Sequence, residues 1–158
     1  MPIDKNQLRQ VMGHFATGVS IITTLSKDGE LVGLTANALT SVSLVPPLLL
    51  ICVDKKAESY PHFAESNLFT VNVLAADQED ISRRFATSGG NKFEGVSYRK
   101  GANGAPILNN ILAFMECRIV GSFEGGDHTI YLGEIEEAST GEGEPLLFYR
   151  GGYRSLGS

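Results

Sequence analysis

Tryptophan is absent from this sequence, and cysteine and histidine are scarce, with two and three copies. Cys52 and Cys117 stand far apart, each inside an apolar segment, so neither a CxxC redox pair nor a thiolate zinc site has its ligands. Both are expected as buried, reduced thiols. His14, His62 and His128 are scattered without the i, i+4 spacing of a helical metal site, and no metal is expected. A basic stripe is missing too: 13 Lys and Arg against 18 Asp and Glu leave a net charge of -5, which argues against nucleic acid as a partner. The longest apolar run, residues 48–53, falls far below the roughly 18 residues that cross a bilayer, and residues 1–10 are polar rather than signal-like. A cytoplasmic protein with no membrane contact is expected. Finally, neither a GxGxxG fingerprint after a strand nor a GxxxxGK[ST] phosphate loop occurs. Any dinucleotide must bind without a Rossmann half.

What is present suits one globular domain over residues 1–158, a length that buries about 68–70% of the unfolded surface. Asp4, with Gln7 three residues on, reads as a helix start, and Leu8, Val11, Met12 and Phe15 repeat at helical spacing, ending near Gly18. Two β-rich runs, 19–25 and 31–39, flank the Asp28-Gly29 turn signal and read as a hairpin. Pro46 and Pro47 open the continuous apolar run 48–54, which predicts a strand covered on both faces. A helical turn at 61–65, a strand at 69–74 and a helix capped by Asp77 with Ile81 and Phe85 on one face follow. Residues 87–106 hold five glycines and read as a long functional loop. In 113–123, Met115, Cys117 and Ile119 alternate with Glu116 and Arg118, predicting a half-buried strand with the charges outward. The turn at Gly125-Gly126-Asp127 leads to strands at 128–135 and 146–149. At least six strands with short helices and tight turns favour a mainly β fold, an antiparallel, Greek-key-like β-barrel, over a doubly wound sheet.

The most informative stretch is Gly33-Leu34-Thr35-Ala36-Asn37-Ala38-Leu39-Thr40-Ser41-Val42-Ser43. Its small and hydroxylated side chains would let a planar ligand approach the backbone and bond to its hydroxyl and N–H groups. Composition alone fits equally a strand running into a Ser/Thr-rich turn. Taken with Phe15-Ala16-Thr17-Gly18-Val19, the Pro46-Pro47 run to Asp54, Asn72-Val73-Leu74, Arg84-Phe85-Ala86, Gly126-Asp127-His128-Thr129 and Tyr149-Arg150-Gly151, it resembles the flavin reductase family. These are the short-chain NAD(P)H:flavin oxidoreductases that serve two-component monooxygenases.

The resemblance covers essentially the whole chain and implies a six-stranded, FMN-binding split barrel, paired as a homodimer whose interface forms part of the flavin site. It implies FMN or FAD as cofactor, NADH or NADPH as co-substrate, and reduced flavin passed by diffusion to a separate monooxygenase component. Carried over position by position, Thr35, Ala36, Asn37 and Ala38 would line the isoalloxazine, and Ser41, Val42 and Ser43 would continue that cradle. Cys52, Val53, Asp54 and Lys55 would pass the ribityl chain, with Lys55 and Ser59 meeting the phosphate. Phe85 would pack near the flavin, as would Lys92 and Phe93. These last two stand in Gly89-Gly90-Asn91-Lys92-Phe93, where the family pattern has Asp in place of Asn91. His128, the one catalytic residue implied, would hold the nicotinamide against the flavin, and Tyr153 would close the same pocket. A non-catalytic flavin carrier on the same barrel is the alternative. A pyridoxamine-phosphate-oxidase-like barrel is disfavoured by Gly-Asp-His-Thr.

Overall fold

The computed structural model describes residues 2–157; Met1 and Ser158, the ends of the expected 1–158 domain, lie outside the described residues. Asp4 caps α1 (Lys5–Met12), its carboxylate accepting the Gln7 N–H at 2.9 Å. The helix ends at Gly13 rather than near Gly18, because the chain enters β1 (Thr17–Gly18). None of α1 is buried: Leu8 and Val11 are 49% and 59% exposed, and Phe15, beyond the helix, is 71% exposed.

The Asp28-Gly29 turn, with Gly29 at φ +81°, joins β2 (Ser20–Leu25) to β3 (Leu31–Ala36) as expected. Buried on both faces, β2 carries Thr23 and Thr24 at no unpaired cost, since their hydroxyls donate to the Pro106 and Leu68 carbonyls at 2.6 and 2.8 Å. The strand read as 31–39 breaks at Asn37 and Ala38. Residues read as a turn form β4 (Leu39–Ser43), which pairs with β5 (Leu48–Asp54). Then come α2 (Tyr60–Glu65), β6 (Leu68–Val73) and α3 (Glu79–Phe85). The N-cap position of α3 is Gln78 rather than Asp77; Gln78 Oε1 accepts the Ala75 N–H at 2.8 Å and closes the turn before the helix. Part of the expected 87–106 loop is ordered as a hairpin of β7 (Tyr98–Lys100) and β8 (Pro106–Leu108). β9 (Ala113–Gly125) and β10 (His128–Thr140) are longer than their apolar patterns implied, and β11 (Leu147–Tyr149) and β12 (Gly152–Arg154) finish the chain.

All pairings are antiparallel, and the main sheet has the order β3-β2-β6-β9-β10-β5-β4. Its two edge strands, β3 and β4, are neighbours in the chain, joined by Asn37 and Ala38 alone. Three Cα steps reach at most about 11 Å. The sheet must therefore curl until its edges stand side by side, which makes a barrel that is split rather than closed. The six strands implied by family resemblance become seven because residues 31–43 break at this seam.

Inside the barrel lie Ile22, Ile51, Phe63, Phe69, Val71 and Tyr131; a second cluster of Ile21, Leu74, Phe85, Phe93 and Leu108 packs outside β2 and β3. β5 was expected to be covered on both faces. Within this chain only Leu49, Ile51 and Val53 are fully buried, while Leu48, Leu50 and Cys52 point outward and are half-buried. Glu116 corrects the alternation read for β9: it is 3% exposed, its carboxylate accepting the Asn103 N–H at 2.9 Å and holding the 101–105 turn on the barrel wall.

Candidate functional site

The seam carries a cavity of about 220 Å³ lined by Thr35, Ala36, Asn37, Ser82, Phe148 and Tyr153, among others. Its walls are tied together across three elements. The Thr35 hydroxyl donates to the Ser82 carbonyl at 2.6 Å, and Ser82 Oγ shares a 2.6 Å hydrogen bond with the Tyr153 hydroxyl. The Phe148 ring meets Tyr153 edge-on at 5.3 Å, and the Arg83 guanidinium lies 4.9 Å over the Tyr153 ring. Thus α3 and β12 hold the exposed end of β3. Tyr153, expected to close a pocket with His128, lines this cavity with Thr35 and Asn37 instead, and His128 is not among its walls; Ser82 and Phe148 carry no signal in the sequence, being a serine on a helix and a phenylalanine in a short strand.

A second cavity, of about 550 Å³, opens on the other flank of β3 and includes Gly33, Ser59, His62, Asn91 and Lys92. The Lys92 ammonium donates to the Gly33 and Phe85 carbonyls at 3.4 and 3.2 Å, and its burial pushes its pKa down. Ser59, 6% exposed, lines the same space. His62, which received no role in the sequence reading, lines it as well. Phe85 (1% exposed) and Phe93 (8% exposed) meet edge-on at 4.9 Å beneath Gly33, so both rings support β3 from below. Val53 is likewise a core side chain.

The third group gathers at one end of β5 and β10. His128 stands opposite Asp54, Ile130 opposite Cys52, and the Cys52 N–H donates to the Ala38 carbonyl at 3.1 Å, which puts His128 on the same rim as the seam. Asp127 Oδ1 lies 2.7 Å from His128 Nδ1. The carboxylate can only accept, so Nδ1 carries the hydrogen and, in the neutral ring, Nε2 is left as an acceptor. That bond from His128 is what chiefly holds the Asp127 pKa below its usual range. Lys55 pairs with Glu124, and this partner raises its pKa. The cation expected at a phosphate is therefore already shared with a carboxylate. Ser41 and Ser43, opposite Leu49 and Leu48, lie at the other end of β5 with Val42 between them, and Ser41 and Val42 are exposed. Within one chain they do not join residues 35–38.

These residues fit a flavin. β3 has a ladder partner on one side only, so the backbone groups along its other edge are open to a planar ring with a polar rim. The seam cavity combines flat aromatic and small apolar walls with hydroxyl and amide groups. Lys92 and Ser59 offer a cation and a hydroxyl to a phosphate. Comparison with known proteins agrees. The sequence model of the family described as "Flavin reductase like domain" matches residues 12–157. The reductase component of 4-nitrophenol 4-monooxygenase/4-nitrocatechol 2-monooxygenase from Rhodococcus opacus is 41% identical over 150 residues, 95% of this chain and 80% of that protein. A flavin reductase of Pseudomonas putida is 39% identical over 96% of this chain and 89% of its own. The NADH:FAD oxidoreductase SgcE6 of Streptomyces globisporus C-1027, solved in complex with NAD and FAD fragments, superposes with a TM-score of 0.91 at 43% identity, covering 96% of this chain and 92% of that one. The chain belongs to the flavin reductase-like family.

Proposed function

We propose that this protein is an NAD(P)H:flavin oxidoreductase that reduces FMN or FAD and supplies the reduced flavin to a separate monooxygenase. The observation that carries this reading is the seam: Asn37 and Ala38 join the two sheet edges, leave the flank of β3 open, and stand on the same rim as His128. When bound, the flavin supplies the hydride acceptor for the nicotinamide. The chain's contribution is orientation. Thr35, Ala36, Asn37 and Ala38 hold the ring, Lys92 and Ser59 the phosphate end, and the backbone of 52–55 passes between. Phe85 and Phe93 act from below by fixing β3. His128 Nε2, kept an acceptor by the bond to Asp127, suits the carboxamide N–H of a nicotinamide.

His128→Ala is accordingly expected to raise the KM for NADH about three- to tenfold, the loss of roughly one hydrogen bond, with flavin affinity held within twofold. Steady-state kinetics at saturating flavin, beside a flavin titration, checks this; equal loss of both affinities would sink the assignment.

The functional pair is a homodimer. Two apolar surfaces support this: the outer face of β5 and β10, where Leu48, Leu50, Cys52, Ile130 and Leu132 adjoin in register, and the exposed stripe of α1. An eight-residue helix with no buried residue is marginal by itself, so a second copy that covers it also explains its order. The reading takes residues 1–158 as one domain. It places the protein in the cytoplasm, whose reducing poise suits the free thiols Cys52 and Cys117; among the described residues no helix is long and apolar enough to cross a membrane.

The decisive experiment mixes the purified protein with FMN or FAD and NADH or NADPH and follows nicotinamide absorbance under air. Flavin-dependent oxidation is the expected result. Flavin binding without oxidation by either donor would leave a non-catalytic carrier and remove the enzyme.

A further inference from the structure

Among the described residues, one buried side-chain oxygen has no hydrogen-bond partner: the hydroxyl of Thr17. Burying a hydroxyl unpaired weakens a fold, so such atoms in native proteins call for a reason. The place of this one supplies it. Thr17 stands directly opposite Phe148 in the β1–β11 ladder, and Phe148 directly opposite Tyr153 in the β11–β12 ladder. Opposed residues of antiparallel strands project to the same face. Thr17, Phe148 and Tyr153 therefore form one row across the three-stranded sheet. Phe148 and Tyr153 line the seam cavity with Thr35, Asn37 and Val19, and Thr17, two residues before Val19, continues their row at the cavity's edge.

The other hydroxyls at this wall are engaged. Tyr153 is bonded to Ser82, and Thr35 donates to the Ser82 carbonyl. Thr17 alone is uncommitted, and threonine suits the task of aiming a hydroxyl, because its branched Cβ restricts χ1. Its neighbour in the row, the Phe148 ring, competes for no hydrogen bond and keeps the surroundings dry, which strengthens any bond formed there.

We propose that the Thr17 hydroxyl is a flavin-binding group, donating a hydrogen bond to an acceptor on the polar rim of the isoalloxazine at the seam. This rests on the reading of the seam as the flavin site. The flavin is chosen over the nicotinamide because the row adjoins Thr35 and Asn37, whereas His128 lies across the rim on β10. The isoalloxazine rim carries ring carbonyls and nitrogens that accept, and a threonine hydroxyl can donate to such an acceptor.

Two variants test the proposal. Thr17→Val keeps the branched shape and removes the hydroxyl; Thr17→Ser keeps the hydroxyl. Flavin dissociation constants are read by fluorescence titration with FMN and FAD without nicotinamide, beside ligand-free melting temperature, light scattering for the oligomer, and KM for NADH at saturating flavin. Thr17→Val is expected to bind flavin five- to tenfold more weakly, yet to melt at or above the wild-type temperature, since it removes an unpaired buried oxygen. Thr17→Ser should stay within about twofold of the wild-type affinity. A merely structural hydroxyl would lower the melting temperature instead. Unchanged flavin affinity in Thr17→Val overturns the proposal. So does weaker binding accompanied by loss of the dimer, which would give the hydroxyl to the partner subunit, or a raised KM alone, which would give it to the nicotinamide. A wild-type chain that binds no flavin in the same titration overturns the reading of the seam itself.

Discussion

Leu50→Glu is expected to leave a folded monomer with less than a tenth of the wild-type flavin-dependent NADH oxidation. Leu50 lies mid-strand in β5, opposite Leu132 on one side and Thr40 on the other, and its neighbours Leu49 and Ile51 point into the barrel. Its own side chain points outward and is half-buried within one chain, so a glutamate there meets water and the barrel folds. Nearby Val42, Leu44 and Phe123 are 47%, 92% and 54% exposed, an apolar extent that a stable single chain rarely shows. In a twofold dimer the substituted carboxylate appears twice on one interface, and burying an unpaired charge there costs several kcal/mol. Light scattering reads the mass, circular dichroism the fold, and nicotinamide oxidation the activity. A dimer that survives would remove this face as the interface. A monomer with full activity would instead show that one chain completes the site, against the expectation that the dimer interface forms part of it.

The same face explains which parts of the fold were legible in the sequence. Local rules worked where the residues carry their own geometry. Asp4 caps α1, Asp28-Gly29 turns the first hairpin, and Gly126-Asp127 turns the β9–β10 hairpin with Gly126 at φ +72°. They failed where the partner is distant in sequence. The break at Asn37-Ala38 is invisible in a run of β-compatible residues, because it is imposed by curvature of a sheet whose other five strands lie elsewhere. Glu116 reads as outward by alternation, yet a backbone N–H from the 101–105 turn draws it in. The run 48–54 suggested cover on both faces, and one chain supplies only one of them.

For the proposed site, the signal in the sequence is the small and hydroxylated residues at 35–38, which permit close backbone approach. The contacts of Phe85 and Lys92 were not legible: only the packing shows the ring beneath Gly33 and the ammonium on the Gly33 carbonyl. Ser82 could not be found at all, because its link to Thr35 spans from α3 to β3.

Gly33→Ala is the second substitution with a large expected effect, and it acts through packing alone. A Cβ at this position would lie 2.7 and 2.9 Å from Phe85 Cε1 and Cδ1 and 3.3 Å from Phe93 Cζ. Phe85 is 1% exposed in the outer core, so its ring has no free space to enter. Either the ring leaves its rotamer or β3 lifts, and overpacking of this kind costs roughly 1–3 kcal/mol. For a chain of this size that lowers the melting temperature by roughly 3–10 °C. Lifting β3 also moves the Gly33 carbonyl off the Lys92 ammonium and shifts Thr35 relative to Ser82, so flavin affinity should fall more than tenfold. Placing Phe85→Leu in the same chain makes room for the added methyl. In a double-mutant cycle the pair should therefore melt higher than Gly33→Ala alone, with a favourable coupling energy between the two positions. Additive losses would mean that Phe85 does not set the height of β3, and that the strand is held from the seam side by Ser82 and Tyr153 instead.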